Sequence, residues 1–468
     1  MRVAALAVLS LTLAGCAVVG PDYQRPAVTL PAAYPPANPS AADGSATLAA
    51  DWWVAYGDTE LTRLVERALA ANADIAQAVA RVELAEAQVR EAGGAFLPSL
   101  SAGAGASRAQ IGALSPSNTS GRTVTGNDFR LSLSTSFEID FWGKLRRADE
   151  AARAQLLASQ AGRDTVRLTV ASLVAQTWFA LHSLDEQVLA TRGTLKTRDD
   201  SARLIGLRLK AGTASRLELE QADILRADAA VQLRELQRQR TLAASQLGVL
   251  TGDPALALAE GMLRSEPLPP LPPAGLPSAL LERRPDIRRA EELLVAANAQ
   301  IGVARAAMFP TLSLTGGLGH ESIELSSLLN APARFWNLGF GLALPIFDGG
   351  RNAARTDQAG ARQREAVGAY QGAVATAFKE VADALSNLSA ARESAPDLTL
   401  RQAASERAVK LAQARFDAGY SGYLDLLDAQ RTATAARLDA VRNRQAQLNA
   451  SVDLIKALGG GWGGLPAR

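Results

Sequence analysis

One segment indicates the fold class of this chain: Phe129-Arg130-Leu131-Ser132-Leu133-Ser134-Thr135-Ser136-Phe137-Glu138-Ile139. Its odd positions are apolar apart from one threonine, and its even positions are polar. Strict alternation over about ten residues is typical of a β-strand with one apolar face, including the strands that cross membranes. A half-buried sheet packed on helices would show the same alternation, so the pattern leaves both interpretations open.

Three other segments alternate in the same way, which predicts four strands in the chain. They are residues 99–107, 311–318 and 338–346. Aromatic residues fall near the strand ends, where the interface girdle of a membrane barrel lies: Phe96, Phe141, Trp142, Phe309, Phe335, Trp336 and Phe347. A membrane leaves no backbone polar group unpaired, and bacterial barrels have about eight strands or more. Four strands therefore predict an oligomer with one shared barrel.

Helical periodicity surrounds these strands. Apolar spacings of three and four predict the helices 58–93, 144–210, 286–308, 352–418 and 422–458, and a further helix that begins near Ser215. The two longest would each extend about 100 Å at 1.5 Å per residue. Glycines 212 and 419 are expected to end them, and Pro396 is expected to bend or break the second.

The chain contains two similar halves. Asp74-Ile75 aligns with Asp286-Ile287, and Ala211-Gly212 aligns with Ala418-Gly419, in the same order in each half. The predicted organisation is a signal peptide (1–15), a Pro-rich arm (16–50), a first repeat (51–262), a Pro-rich connector (263–277), a second repeat (278–460) and a tail (461–468).

The first residues indicate export. Arg2 is followed by a short apolar run and then by Gly15-Cys16, as in a cleaved signal. Leu13-Ala14-Gly15-Cys16 resembles the bacterial lipoprotein box, which implies lipid attachment at Cys16 and, with Ala17 next, the outer membrane. The alternative is an ordinary signal peptide with an incidental cysteine.

The composition excludes several classes of protein. Lys and Arg number 49 and Asp and Glu 47, and a net charge of +2 argues against a nucleic-acid partner. One cysteine and two distant histidines, His182 and His320, offer no disulfide or metal-ligand pair. No phosphate-binding loop or catalytic set is recognisable, so we expect no enzyme activity and no cofactor.

The chain resembles the TolC-like outer-membrane efflux channels, in particular their NodT-type lipoprotein branch. The resemblance covers nearly all of the mature chain and rests on residues 15–26, 284–287, 296–302, 345–350 and 423–430. It implies a mainly helical chain of long antiparallel helices, the trans-periplasmic α-barrel, with four strands that join a homotrimeric barrel of about twelve. It also implies a periplasmic adaptor protein and an inner-membrane pump as partners, with small toxic compounds as cargo.

Carboxylates near Gly419 are the candidate aperture. Asp425 and Asp428 are three apart on one helix face, with Arg431 a turn further on. In a trimer they would form carboxylate rings that favour cations and close through basic partners. The resemblance implies a narrowing at Leu424 and an aromatic gate at Phe416. A solvated helix face is the alternative for these charges.

Two other functions fit the same sequence. One is a duct for secreted proteins, with the channel kept and the cargo changed. The other is a soluble coiled-coil adaptor lipoprotein of the periplasm, which requires no alternating strands.

Overall fold

The computed structural model describes residues 18–28, 31, 49–116, 118–119, 121–263, 268–269 and 283–461. The predicted signal peptide, Cys16 and most of the arm, connector and tail lie outside these residues. The elements in chain order are α1 (Thr59–Ala71), α2 (Ala73–Gly94), β1 (Ser99–Ile111), β2 (Val124–Ile139), α3 (Lys144–Lys210), α4 (Arg216–Leu250), α5 (Pro285–Ala306), β3 (Thr311–Ser322), β4 (Arg334–Ala343), α6 (Arg351–Asp417) and α7 (Tyr423–Ala457).

The helices follow the predicted pattern with two corrections. The single helix expected over 58–93 is two helices, because Asn72 between them has extended backbone (ψ 131°). Its side-chain oxygen accepts the N–H of Asp74 at 2.9 Å, which caps α2, and its amide donates to the Leu250 carbonyl at 3.0 Å. The helix α6 continues through Pro396 over its 67 residues, so the expected break does not occur.

The four strands form one antiparallel sheet in the order β1-β2-β3-β4. The expected strand over 338–346 begins and ends earlier, as β4. The register joins the apolar faces of all four strands, since Leu133 is opposite both Ala102 and Leu318, and Leu318 is opposite Trp336. The result is one continuous apolar face: Leu100, Ala102, Ala104, Leu131, Leu133, Phe137, Ile139, Leu312, Leu314, Leu318, Trp336, Leu338, Phe340 and Leu342.

The chain divides into two compact units, and each takes segments from both sequence repeats. The first, the strand unit, contains the described residues of 1–27, 81–159 and 290–370, with the whole sheet. The second, the helical unit, contains the described residues of 28–80, 160–289 and 371–468. Among the described residues, no helix is both long enough and apolar enough to span a bilayer.

In the strand unit, residues 18–25 lie along helices α3 and α5. The Val19 N–H donates to the Trp142 carbonyl at 3.0 Å, and Arg25 pairs with Glu291 at 2.7 Å. Gly20 has a φ of +111°, and a side chain there would collide with the backbone of Gly302. The close approach of two glycines therefore fixes the path of this segment.

The core of the helical unit contains an aromatic cluster from a 3₁₀ turn. Trp52, Trp53 and Tyr56 are buried, and the Tyr56 ring packs on Phe179 with centroids 5.1 Å apart. The Tyr56 hydroxyl and the Ser451 hydroxyl are 2.6 Å apart, so α7 is hydrogen-bonded to this turn.

Candidate functional site

The candidate aperture lies in the helical unit, where two helical hairpins turn. The helix α3 ends at Lys210, and Gly212 has a φ of +75° before α4 begins. The helix α6 ends at Asp417, and Gly419 also has a φ of +75° before α7 begins. Both glycines adopt the left-handed conformation that ends helices, as the sequence predicts. We call these two turns and the adjoining helix ends the hairpin tips.

The first two turns of α7 carry four of the predicted aperture residues, and all four are exposed: Leu424, Asp425, Asp428 and Arg431. Arg431 Nη2 lies 3.7 Å from Asp428 Oδ1, and the two side chains are 79% and 75% exposed. An ion pair this exposed contributes about 0–1 kcal/mol, so it does not hold either side chain in place. Asp425 lies in the first turn of α7, where the positive end of the helix dipole favours a carboxylate.

A groove of about 280 Å³ separates α4 from α7 at this position. One wall has Ile224, Leu225 and Gln221, and the other wall has residues 424, 427, 428 and 431 of α7. The groove therefore has apolar walls, with the Asp428–Arg431 ion pair among its lining residues. In the first repeat the equivalents of Leu424, Asp425 and Asp428 are Leu217, Glu218 and Gln221, so α4 has one carboxylate at these positions and α7 has two.

Phe416 has a different environment from the four residues of α7. It is half-buried, its ring centroid is 5.6 Å from that of Tyr423, and the Arg208 guanidinium lies 4.6 Å from its centre. Tyr423 belongs to a small buried cluster that joins α3, α4 and α7. Phe416, at the end of α6, therefore contacts two other elements of its own chain: the end of α3 and the start of α7.

Sequence reasoning missed one buried cation beside these tips. The Arg198 side chain on α3 is buried and donates to the amide oxygen of Gln430 on α7. Burial lowers the pKa of Arg198, because the charged form loses water, and the nearby Tyr423 partly offsets this. Heptad spacing could have identified it, because Thr191, Arg198 and Ile205 are seven residues apart and all buried.

The two histidines lie in different surroundings. The His182 ring lies 4.0 Å from the Trp178 ring, and His320 is on β3 opposite Leu131 and Arg334. Within the part of the chain that the structure describes, no group of three or more His, Cys, Asp or Glu residues could hold a metal ion.

The chain is similar to known efflux proteins over nearly its whole length. The family model "Outer membrane efflux protein" matches residues 64–253 and 276–460. The pyoverdine export outer membrane protein OpmQ of Pseudomonas aeruginosa is 40% identical over 88% of this chain and 87% of its own. The cation efflux system protein CusC of Escherichia coli K12 is 35% identical over 97% and 98%.

A solved structure agrees with the fold. The outer membrane channel CmeC of Campylobacter jejuni superposes with a TM-score of 0.87 at 29% identity, covering 95% of each chain. Both the helices and the four-stranded sheet are included in a match of this extent. The chain therefore belongs to the outer membrane efflux protein family, as an outer-membrane component of an efflux system that extends into the periplasm.

Proposed function

We propose that three copies of this chain form a passive duct that receives small toxic compounds from an inner-membrane pump and a periplasmic adaptor. The observation that carries this proposal is the sheet. Among the described residues, its outer strands β1 and β4 each have one edge without a strand partner, and one whole face of the sheet is apolar. Lipid does not tolerate unpaired backbone edges, so sister chains must complete the wall. The same sheet contradicts the coiled-coil adaptor alternative, which has no strands.

The hairpin tips are the proposed periplasmic aperture. In a trimer, Asp425 and Asp428 would form two rings of carboxylates, with Leu424 beside them as an apolar narrowing. The exposure of all three and the weak Asp428–Arg431 ion pair support this, because carboxylates without firm partners can act on passing ions. The Phe416 contacts with Tyr423 and Arg208 would hold the tips closed, and opening would break them.

The adaptor is proposed to bind at these same tips. Leu217, Leu424 and Tyr420 are exposed there, which gives apolar surface for helix contacts. The relatives OpmQ and CusC are named for chemically unlike cargoes, a pyoverdine and a cation, at similar identity to this chain. We therefore propose that the pump selects the cargo and that the duct accepts many small compounds.

Cys16 is the proposed site of lipid attachment. Val19, three residues further along the chain, is hydrogen-bonded to Trp142, which follows the helix-side end of β2. The first described residues after Cys16 therefore lie close to the aromatic residues at the strand ends. Mass spectrometry of the N-terminal peptide tests this, and an unmodified Cys16 in the mature protein would refute it.

Conductance in planar lipid bilayers tests the aperture. We expect the double variant Asp425→Ala/Asp428→Ala to lower cation selectivity and to change conductance, because the two proposed rings of the trimer lose three carboxylates each. Asp383→Ala is the matched control, since Asp383 is also exposed and paired with a basic residue of its own helix, α6. Unchanged conductance and selectivity in the double variant would exclude these residues from the aperture.

Native cross-linking in membranes tests the oligomer separately. A ladder that ends at three chains is expected from the unpaired strand edges. Monomer alone would contradict the duct itself, whatever the aperture variants show.

A further inference from the structure

The side chains on the polar face of the sheet differ in size between the two ends of the strands. From the helix-side ends outward it carries mostly Ser, Thr, Gly and Asn, as the sequences of β1 to β4 show. Near the loop-side ends, three large side chains occur on adjacent strands: Arg130 on β2, Glu321 on β3 and Phe335 on β4. Phe335 is the one aromatic residue of the four strands on this face.

These three side chains contact one another. Arg130 is opposite Glu321 in the register, and Arg130 Nη1 lies 3.6 Å from Glu321 Oε2. The Arg130 guanidinium also lies 4.7 Å from the centre of the Phe335 ring. The guanidinium thus has a carboxylate partner and an aromatic partner, and both attract its positive charge.

A glycine makes this arrangement possible. Phe335 on β4 is directly opposite Gly319 on β3, so its ring must cross β3 to approach Arg130 on β2. A Cβ at Gly319 would lie 3.0 Å from the Phe335 ring and 2.9 Å from Ser132 Cα. Because glycine has no Cβ, the Phe335 ring can lie across β3. The cluster of Arg130, Glu321 and Phe335 therefore depends on glycine at position 319.

The position of the cluster follows from the connectivity. The strands begin or end next to helices at Ser99, Ile139, Thr311 and Ala343, and the opposite ends are joined by 112–123 and 323–333. Members of this family extend into the periplasm. In the proposed duct the long helices form that part, which puts the cluster near the extracellular ends of the strands. If the apolar face contacts lipid, as the proposed trimer requires, the cluster faces the lumen of the barrel.

We propose that Arg130, Glu321 and Phe335 form an outer constriction of the pore whose charges are balanced within each chain. This inference rests on the proposed trimeric duct. Three arginine–glutamate pairs would face transported ions and charged organic compounds, between Asp128 further outward and Glu138 at the helix-side end of the same face. The balance would keep this level from selecting by charge, so that compounds of either sign leave the duct. Asp128, two residues outward on the same face of β2, would add a fixed negative charge beyond it.

Reversal potentials in a KCl gradient across planar bilayers test the balance. Arg130→Ala leaves three unpaired carboxylates and should shift selectivity toward cations, whereas Glu321→Gln leaves three unpaired guanidinium groups and should shift it toward anions. The double variant Arg130→Ala/Glu321→Gln should return close to the wild-type value. Ser134→Ala, on the same face of β2, is the control and should change nothing.

Single-channel conductance tests the constriction. Phe335→Ala should raise conductance, because it removes the ring and releases Arg130 from it. Variants are compared after the trimer is confirmed by cross-linking, so that a folding failure is recognised. If wild-type channels conduct but neither single charge variant shifts the reversal potential, the proposal is overturned. It is also overturned if both variants shift the reversal potential in the same direction. Absence of any wild-type conductance would instead contradict the duct.

Discussion

Replacement of Phe416 by alanine is the sharpest test of how the hairpin tips are held closed. The substitution removes the contact between Phe416 and Tyr423, with centroids 5.6 Å apart, and the one with Arg208, at 4.6 Å. An aromatic pair contributes about 0.5 to 1.5 kcal/mol, and a cation–π contact at a partly exposed site about 0.5 to 1 kcal/mol. Their sum is about 1 to 2.5 kcal/mol per chain, or a factor of about 5 to 70 in the local equilibrium.

The assay is the open probability of single channels in planar bilayers. We expect Phe416→Ala to raise the open probability, because the tips of all three chains are loosened at once. Phe416→Tyr should remain close to wild type, because it keeps the aromatic ring. If Phe416→Ala forms trimers and has wild-type open probability and conductance, these contacts do not stabilise a closed state. The gate would then have to be sought among the charged residues of α7.

Three further predictions concern the helical unit. Tyr56→Phe loses the buried hydrogen bond to Ser451, whose length is 2.6 Å, and should lower the free energy of unfolding by about 1 kcal/mol. The measurement is the thermal midpoint in detergent, which should fall; an unchanged midpoint would argue against the bond. Asn72→Ala removes the cap of α2 and should cost about 1 kcal/mol by the same measurement, with less helical signal by circular dichroism. Asp453 is exposed to solvent, but partial burial of its carboxylate raises its pKa, and a hydrogen bond from Gln176 partly offsets this. Its charged form therefore has a small, solvent-screened stability cost above the folded-state pKa, and the cost disappears as the pH falls through it. Asp453→Asn should therefore raise the thermal midpoint at neutral pH, and the gain should shrink toward pH of about 4; a gain that grows on acidification would contradict the sign.

The sequence predicted the bounds of an element well where residues of the same segment determine them. The helix α3 ends at Lys210 as expected, because Gly212 offers a left-handed residue and the apolar spacing stops there. Asn72 escaped prediction because its competing hydrogen bonds reach α4, through the Leu250 carbonyl, which lies 178 residues further along the chain. Likewise β4 starts at Arg334 and not at residue 338, since its pairing with β3 and not its own alternation sets its length.

In the candidate site, too, residues of one helix were predictable and contacts between helices were not. The spacing of Asp425, Asp428 and Arg431 placed them on one face of α7, and they are exposed there with Arg431 next to Asp428. The Phe416 environment depends on Arg208 from another helix, and no spacing in either segment indicates that they meet. Local periodicity therefore finds residues that share an element, and tertiary packing decides which elements meet.

Amphipathic strands between very long helices were predictable from local residues, because alternation and heptad spacing each involve only a few neighbouring positions. The tertiary structure alone decided that the apolar faces of four strands join into one surface and that Arg130, Glu321 and Phe335 meet on the other. The physical reason is register: a shift of one residue between strands would reverse the faces, and the register is fixed by pairing between segments that are distant along the chain.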